Sequence, residues 1–191
     1  NDVADSDLVT RRVEVLFPHL VDGALILISS QVPAGFTSSI ESAFRSGHAG
    51  KEVSFAYSPE NLRLGRALDA FREPERIIVG TSDERSRERL ALLFSPFCRR
   101  VEWMSVESAE MTKHALNAFL ATSVAFINEI AALCERMKAD VKEVERGLKS
   151  DPRIGQRAYL RPGGPYSGGT LARDVNYLNN FGERANIPVP L

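Results

Sequence analysis

The sequence predicts an α/β layer with a mainly parallel sheet, followed by a helical region built on one long helix. Three observations predict it. Apolar runs alternate with helical stretches as far as residue 105, the pattern of strands joined by crossover helices. Those runs are continuous rather than alternating, as in strands buried on both faces. From Ser108 to Lys138 no turn signal interrupts the chain, which predicts a helix about 45 Å long.

The elements follow in order. Leu8, Val9, Val13, Leu16 and Leu20 recur at helical spacing, predicting an amphipathic helix over 6–21. "GALILISS" (23–30) reads as a buried strand, "QVPAGFTSS" turns the chain, and a helix runs on to Ser46. "EVSFAYSP" (52–59) and "RIIVG" (76–80) are the next strands. A helix starts on Ser82 or Asp83 as its cap, and "RRVEWMS" (99–105) is a last short strand. Ser105 or Ser108 caps the long helix, with Glu107 and Glu110 favouring its positive end. Its apolar residues keep to no single stripe: Leu116, Leu120, Ile127, Leu133 and Cys134 stand with Phe119, Val124, Phe126 and Ile130. A helix apolar nearly all round is buried on more than one side, and we expect one of those sides to meet another subunit. A second helix over 141–149 follows a break at Ala139-Asp140, then a glycine-rich loop, then a last helix from Arg173.

Bulk properties exclude several function classes. The 191 residues suit one large domain or two small ones, and a net charge of −1 with acids and bases interspersed points to neither nucleic acid nor an anionic membrane surface. No apolar run is expected to approach a membrane span, and the start shows no signal peptide. Two cysteines (Cys98 and Cys134) and three isolated histidines make neither a disulfide framework nor a zinc site, so a reducing, cytoplasmic setting is the expectation. The chain opens on "NDVADSDLV" and stops at "NIPVPL", and we expect a piece of a longer protein.

Four local features can carry chemistry, each with a plain structural reading beside it. "ISSQVPAG" (28–35) runs from a strand into a Pro-Gly turn, at the carboxyl end where open sheets bind ligands; it is equally an ordinary turn. "YSPENLRLG" (57–65) places Glu60 and Arg63 past the next strand, in a functional loop or a structural one. Lys113 and Asn117 share one face of the long helix. An ammonium beside an amide can hold and polarise a substrate oxygen, or the lysine is a surface group near a helix start. "RPGGPYSGGTLARD" (161–174) holds four glycines between Arg161 and Arg173; its amides can cradle anionic oxygens, or it is a flexible linker. The Gly-x4-Gly-Lys phosphate loop is absent. Cys98 and Cys134 read as packed residues.

In register over nearly the whole chain, four segments resemble the UDP-glucose/GDP-mannose dehydrogenase family. They are "ALILISSQVPAG", "YSPENLRLGRALDAFREPERIIVG", "SAEMTKHALNAFLATSVAFINEIAALCE" and "DPRIGQRAYLRPGGPYSGGTLARDV". The resemblance implies NAD as cofactor and oxidation of a nucleotide-sugar C6 alcohol to a carboxylate through a cysteine-bound intermediate. It also implies a division into the C-terminal half of a Rossmann-like NAD-binding domain (1–105) and an all-α central dimerisation and substrate domain (106–191). A Gly-x-Gly-x-x-Gly unit and a C-terminal nucleotide-sugar-binding domain are then absent from this chain. A homodimer through helix 108–138 is the implied assembly.

Carried over residue by residue, the family's oxygen-holding pair falls on Lys113 and Asn117. Its loop acid falls on Glu60, its aspartate on Asp174 and its cross-subunit arginine on Arg153. Asn61, Leu62, Arg63, Tyr159, Leu160, Gly163 and Gly168 take the substrate-binding places, and Ser30, Gln31 and Arg173 the cofactor-side places. Five departures stand out: Thr170 where the family has its nucleophilic cysteine, Ala172 for a proline, Arg173 for a lysine, Gln31 for a threonine and Leu64 for a glutamate. A threonine hydroxyl is far less nucleophilic than a thiolate. The expected activity is therefore hydride transfer limited to two electrons; the alternative is a catalytically silent member with a binding or assembly role. The isolated chain is expected to be inactive.

Overall fold

The computed structural model describes residues 5–60, 62, 65, 67–165 and 169–189. It forms two compact units, Ala4–Lys113 and His114–Leu191.

The first unit is a four-stranded sheet in the order β1 (Leu25–Ile28), β2 (Ser54–Tyr57), β3 (Ile77–Thr81), β4 (Val101–Met104). β1 and β2 run parallel with Leu25 opposite Ser54, and β3 and β4 run parallel with Ile77 opposite Val101. Between these pairs the sheet reverses: β2 and β3 are antiparallel, with Tyr57 opposite Gly80. The mainly parallel sheet expected from the sequence is therefore a mixed one. The parallel pairs are linked by α2 (Phe36–Gly47) and α4 (Glu84–Phe94), which supply the crossovers that parallel strands require. Among the described residues, the link between β2 and β3 carries only α3 (Ala67–Arg72), which buries no residue, and an antiparallel neighbour needs no crossover. The sheet thus has two carboxyl edges, one at the ends of β1 and β2, the other at the ends of β3 and β4.

Period-two alternation sends side chains to two cores. Ile26, Ile28, Phe55, Tyr57, Ile78 and Met104 face α2 and α1 (Ser6–Glu14), together with Phe17, Phe36, Ile40 and Phe44. Leu25, Leu27, Ala56, Val79, Val101 and Trp103 face Leu90 and Phe94 of α4. Burying a Phe or Ile fully contributes about 1.5–3 kcal/mol relative to exposure. The helix predicted over 6–21 ends earlier. Asp5 caps α1 by accepting from the Leu8 amide at 2.8 Å; the chain then tightens into a 3₁₀ turn at Phe17–His19, because Pro18 has no N–H to continue an α-helix. Of the two cap candidates for α4, Asp83 serves, accepting from the Ser86 amide at 2.7 Å.

The long helix α5 spans Val106–Met137, and Ser105 caps it through the Ser108 amide at 3.2 Å. Its opening turns belong to the first unit. Gly80 is what lets them close on the sheet: a Cβ there would stand 2.7 Å from Val106 Cα and 2.8 Å from Ala109 Cβ.

The remainder of α5, α6 (Val141–Ser150) and α7 (Gly169–Ala185) build the second unit. Ala118 and Ala121 of α5 bury against Val175 of α7, with Leu171 and Leu178 around them. α5 ends where Lys138 turns to φ 58°, and the Ala139 amide reaches back to the Cys134 carbonyl at 3.0 Å, the six-to-one closure of a left-handed helix stop. Asp140 then caps α6 through the Lys142 amide at 2.8 Å.

Two expectations are corrected. α7 begins at Gly169, not at Arg173, so Thr170 lies in its first turn; a glycine is tolerated at a helix end more readily than mid-helix. And α5 is, by length and composition alone, apolar enough to cross a membrane.

Candidate active site

In the first unit, the carboxyl ends of β1 and β2 are stitched together. The Ser58 amide donates to the Ile28 carbonyl at 2.9 Å, and the Ser29 hydroxyl donates to the Ser58 carbonyl at 2.7 Å. Ser58 in turn donates its hydroxyl to the Ile78 carbonyl at 2.8 Å. Beyond this seam stand Ser30, exposed, and Gln31, half-buried. Glu60 is exposed, and its carboxylate accepts from the Leu62 amide at 2.8 Å. Its backbone carbonyl accepts from Lys113 Nζ at 2.7 Å. Lys113 is only 7% exposed, so α5 brings a buried ammonium to the loop that follows β2.

Glu110, one turn before Lys113, is wholly buried. Its carboxylate accepts from the Gly35 amide at 2.6 Å and the Thr37 amide at 2.9 Å. Gly35 precedes α2 at φ 89°, a left-handed conformation that favours glycine. These α2 amides are therefore occupied by protein and cannot cradle a phosphate. Glu107 also serves α2: it accepts from the Ser38 hydroxyl at 2.5 Å, and this bond lowers its carboxyl pKa.

In the second unit, Asp174 of α7 is fully buried. Its Oδ2 accepts from Asn117 Nδ2 at 2.5 Å, and its Oδ1 stands 2.6 Å from His114 Nδ1. Asn117 and His114 are 5% and 2% exposed. Tyr177 lies edge-on to the His114 ring with centroids 5.0 Å apart. Burial pushes the Tyr177 phenol pKa up; Arg173 opposes this and Asp174 adds to it. Thr170 is exposed, one helical turn before Asp174, and Arg173 is half-buried.

The glycine-rich segment is tied to α5 by Asn128, which accepts from the Gly163 amide at 3.0 Å and donates to the Gly164 carbonyl at 3.3 Å. Leu160 is buried and Tyr159 is 54% exposed. Arg153 points into solvent and forks onto Asp151, with Nη2 2.6 Å from Oδ2 and Nε 3.0 Å from Oδ1. That guanidinium holds the Asp151 carboxyl below its usual range. Asn61, Arg63, Leu64 and Gly168 lie outside the described residues. Among the described residues no cluster could hold a metal. A shallow cavity of about 260 Å³ lies at the other carboxyl edge, against Thr81, Asp83, Arg87 and Trp103, and holds none of the predicted site residues.

Sequence reasoning missed Glu110, His114 and Asn128. The available signal was periodicity: Glu110, Lys113, His114 and Asn117 are polar at steps of three and four along an apolar helix, a spacing that shares a face.

Comparison with known proteins places the whole chain. Residues 1–98 match the NAD binding domain of the UDP-glucose/GDP-mannose dehydrogenase family, and residues 107–191 match its central domain. The chain is 37% identical to a UDP-glucose 6-dehydrogenase of Pseudomonas aeruginosa over 95% of its length, covering 41% of that protein. It is 36% identical to UDP-glucose 6-dehydrogenase YwqF of Bacillus subtilis over 92% of its length, covering 40% of that protein. A UDP-glucose dehydrogenase structure from Pyrobaculum islandicum superposes with a TM-score of 0.79 at 32% identity, over 85% of this chain and 38% of that one. The chain thus spans about two fifths of the relatives it matches. NAD is the cofactor that the matched domain carries. With both domain matches in sequence and a Rossmann-like sheet joined to a long central helix, the chain belongs to the UDP-glucose/GDP-mannose dehydrogenase family.

Proposed function

We propose that this chain is the C-terminal half of the NAD-binding domain (1–105) and the helical central domain (106–191) of an NAD-dependent nucleotide-sugar dehydrogenase. The full-length protein removes hydride from the C6 alcohol of a UDP- or GDP-linked sugar and stops at the aldehyde. The observation that carries this reading is the buried Asn117–Asp174 pair with a threonine, not a cysteine, one turn earlier on α7.

The step needs a held oxygen, a proton acceptor and an electron sink. Lys113 and Asn117 hold and polarise the oxygen. NAD supplies the acceptor of the hydride, with Ser30, Gln31 and Arg173 on its side of the site. Glu60 and Asp174 are the carboxylates available for the proton. Asn61, Leu62, Arg63, Tyr159, Leu160, Gly163 and Gly168 shape the sugar pocket, and Arg153, exposed in one chain, reaches across to a second subunit. Without sulfur at position 170 the aldehyde forms no thiohemiacetal, so the second oxidation fails for lack of a tetrahedral hydride donor held on the enzyme.

Partners follow from the same reading: a nucleotide sugar, and a second copy docked along α5, with neither nucleic acid nor membrane. The free cysteines, Cys98 and Cys134, agree with a reducing cytoplasmic setting. The changes at Thr170, Gln31 and Leu64 favour a second reading, a silent member that binds or assembles. NADH formed per sugar consumed by the full-length protein decides: one supports the proposal, none supports the silent member, and two would mean a four-electron enzyme.

A further inference from the structure

Asp174 has no exposed surface, and each of its carboxylate oxygens faces a different donor from α5. An ionised carboxylate only accepts hydrogen bonds. Asn117 must therefore turn its NH₂ toward Asp174, which sends its carbonyl oxygen the other way. The terminal torsion of a carboxylate is broad, so a donor on the oxygen opposite Asn117 helps fix its plane. That donor is His114 Nδ1, 2.6 Å from Oδ1. The ring is 2% exposed and is backed by Tyr177, so one turn of α7 supplies both the acceptor of the ring's proton and the wall behind it.

We propose that His114 is a positioning residue: it donates Nδ1–H to Asp174, fixes the carboxylate plane, and thereby sets which face of its amide Asn117 presents. Its consequence for turnover rests on the dehydrogenase reading; the geometry does not. The ring's tautomer is set by the bond its Nδ1 makes, and Nδ1 carries a proton in this arrangement.

The test has a spectroscopic arm and a kinetic arm. In the 191-residue chain, long-range ¹H–¹⁵N correlations of the three histidines should show a protonated Nδ1 for His114. The Asn117 side-chain amide should exchange slowly with solvent. His114→Leu should speed that exchange at least tenfold, and His114→Gln, whose amide can donate to Asp174, should restore most of the protection. An unprotonated Nδ1 in the parent chain overturns the proposal, and this readout needs no variant to fold. Unchanged Asn117 exchange in a folded His114→Leu chain overturns it equally. In the full-length protein, His114→Leu should lower kcat about tenfold with KM within twofold, and His114→Gln should recover it; equal kcat in all three removes the link to catalysis. Because the spectra involve neither NAD nor sugar, failure of the dehydrogenase reading leaves them intact, and the two failures are told apart.

Discussion

The Glu110 carboxylate, wholly buried on α5, accepts a hydrogen bond from the backbone amide of Thr37 at 2.9 Å, seventy-three residues away in sequence. With the matching bond from Gly35 at 2.6 Å, it satisfies two of the orphan donors that open α2, at the end where negative charge is favoured. A side chain on one helix thereby caps another and fixes the loop that carries Ser30 and Gln31.

Removing that cap should be costly. Glu110→Ala leaves two buried amides without acceptors, and we expect a loss of about 3 kcal/mol in unfolding free energy. Glu110→Gln, with a single accepting oxygen, should fall between. Urea titration of the chain measures both. An alanine variant within about 0.5 kcal/mol of the parent would show that water or a shifted backbone replaces the carboxylate.

Tyr177 supplies a test at alkaline pH. Its hydroxyl is buried, with no hydrogen-bond partner among the described residues, and burial raises its pKa. The folded state then holds the phenol proton to higher pH than the unfolded chain does. The stability linked to this proton is complete below the unfolded value of about 10 and is lost as pH rises through the folded one. Absorbance titration of the four tyrosines should show a late component that is lost in Tyr177→Phe. That variant should also equal or exceed the parent in stability at neutral pH, since it deletes a buried hydroxyl that makes no bond. A titration curve identical in parent and variant would contradict the assignment.

These examples mark what the sequence could convey. The strands were legible because β1 and β3 are apolar at successive positions, Leu25 to Ile28 and Ile77 to Val79. Their directions were not, since burial on both faces looks the same whichever way a neighbour runs. Only α3, six residues long and burying none, sets the antiparallel case apart, and α3 itself gives no amphipathic pattern, its Leu68 and Phe71 both being exposed. At the site, Lys113 and Asn117 could be paired by spacing alone. Glu110 with Gly35, and His114 with Asp174, could not: each bond joins residues at least sixty apart, and nothing local announces a buried acid's partner.

Phe119, Phe126 and Leu133 recur every seven residues on α5, with Met137 a turn beyond, and are 71%, 45%, 59% and 79% exposed in the single chain. A heptad repeat of bare apolar groups is the seam of a helix pair, and it supports the proposed homodimer. Sedimentation should find a dimer at micromolar concentration. Phe126→Glu combined with Leu133→Glu should raise its dissociation constant at least a hundredfold, about 2.7 kcal/mol. Should the double variant dimerise as well as the parent, α5 is not the interface.

On the proposed reading, Thr170 is the position where chemistry can be added back. It sits in the first turn of a seventeen-residue helix, where unpaired amides favour a negative charge and lower a thiol's pKa toward thiolate. In the full-length protein, Thr170→Cys should give a thiolate that adds to the bound aldehyde. The resulting thiohemiacetal can release a second hydride to NAD, leaving a thioester that water cleaves to the acid and the free thiolate. We expect NADH per sugar to rise from one to two and the sugar acid to appear by mass spectrometry. Thr170→Ser, which keeps a hydroxyl, should stay at one. If the cysteine variant is folded, still forms one NADH and yields no acid, the missing sulfur is not what stops the reaction. The limit would then lie elsewhere, with Gln31, Leu64 or Arg173 among the positions that the resemblance marks as departures.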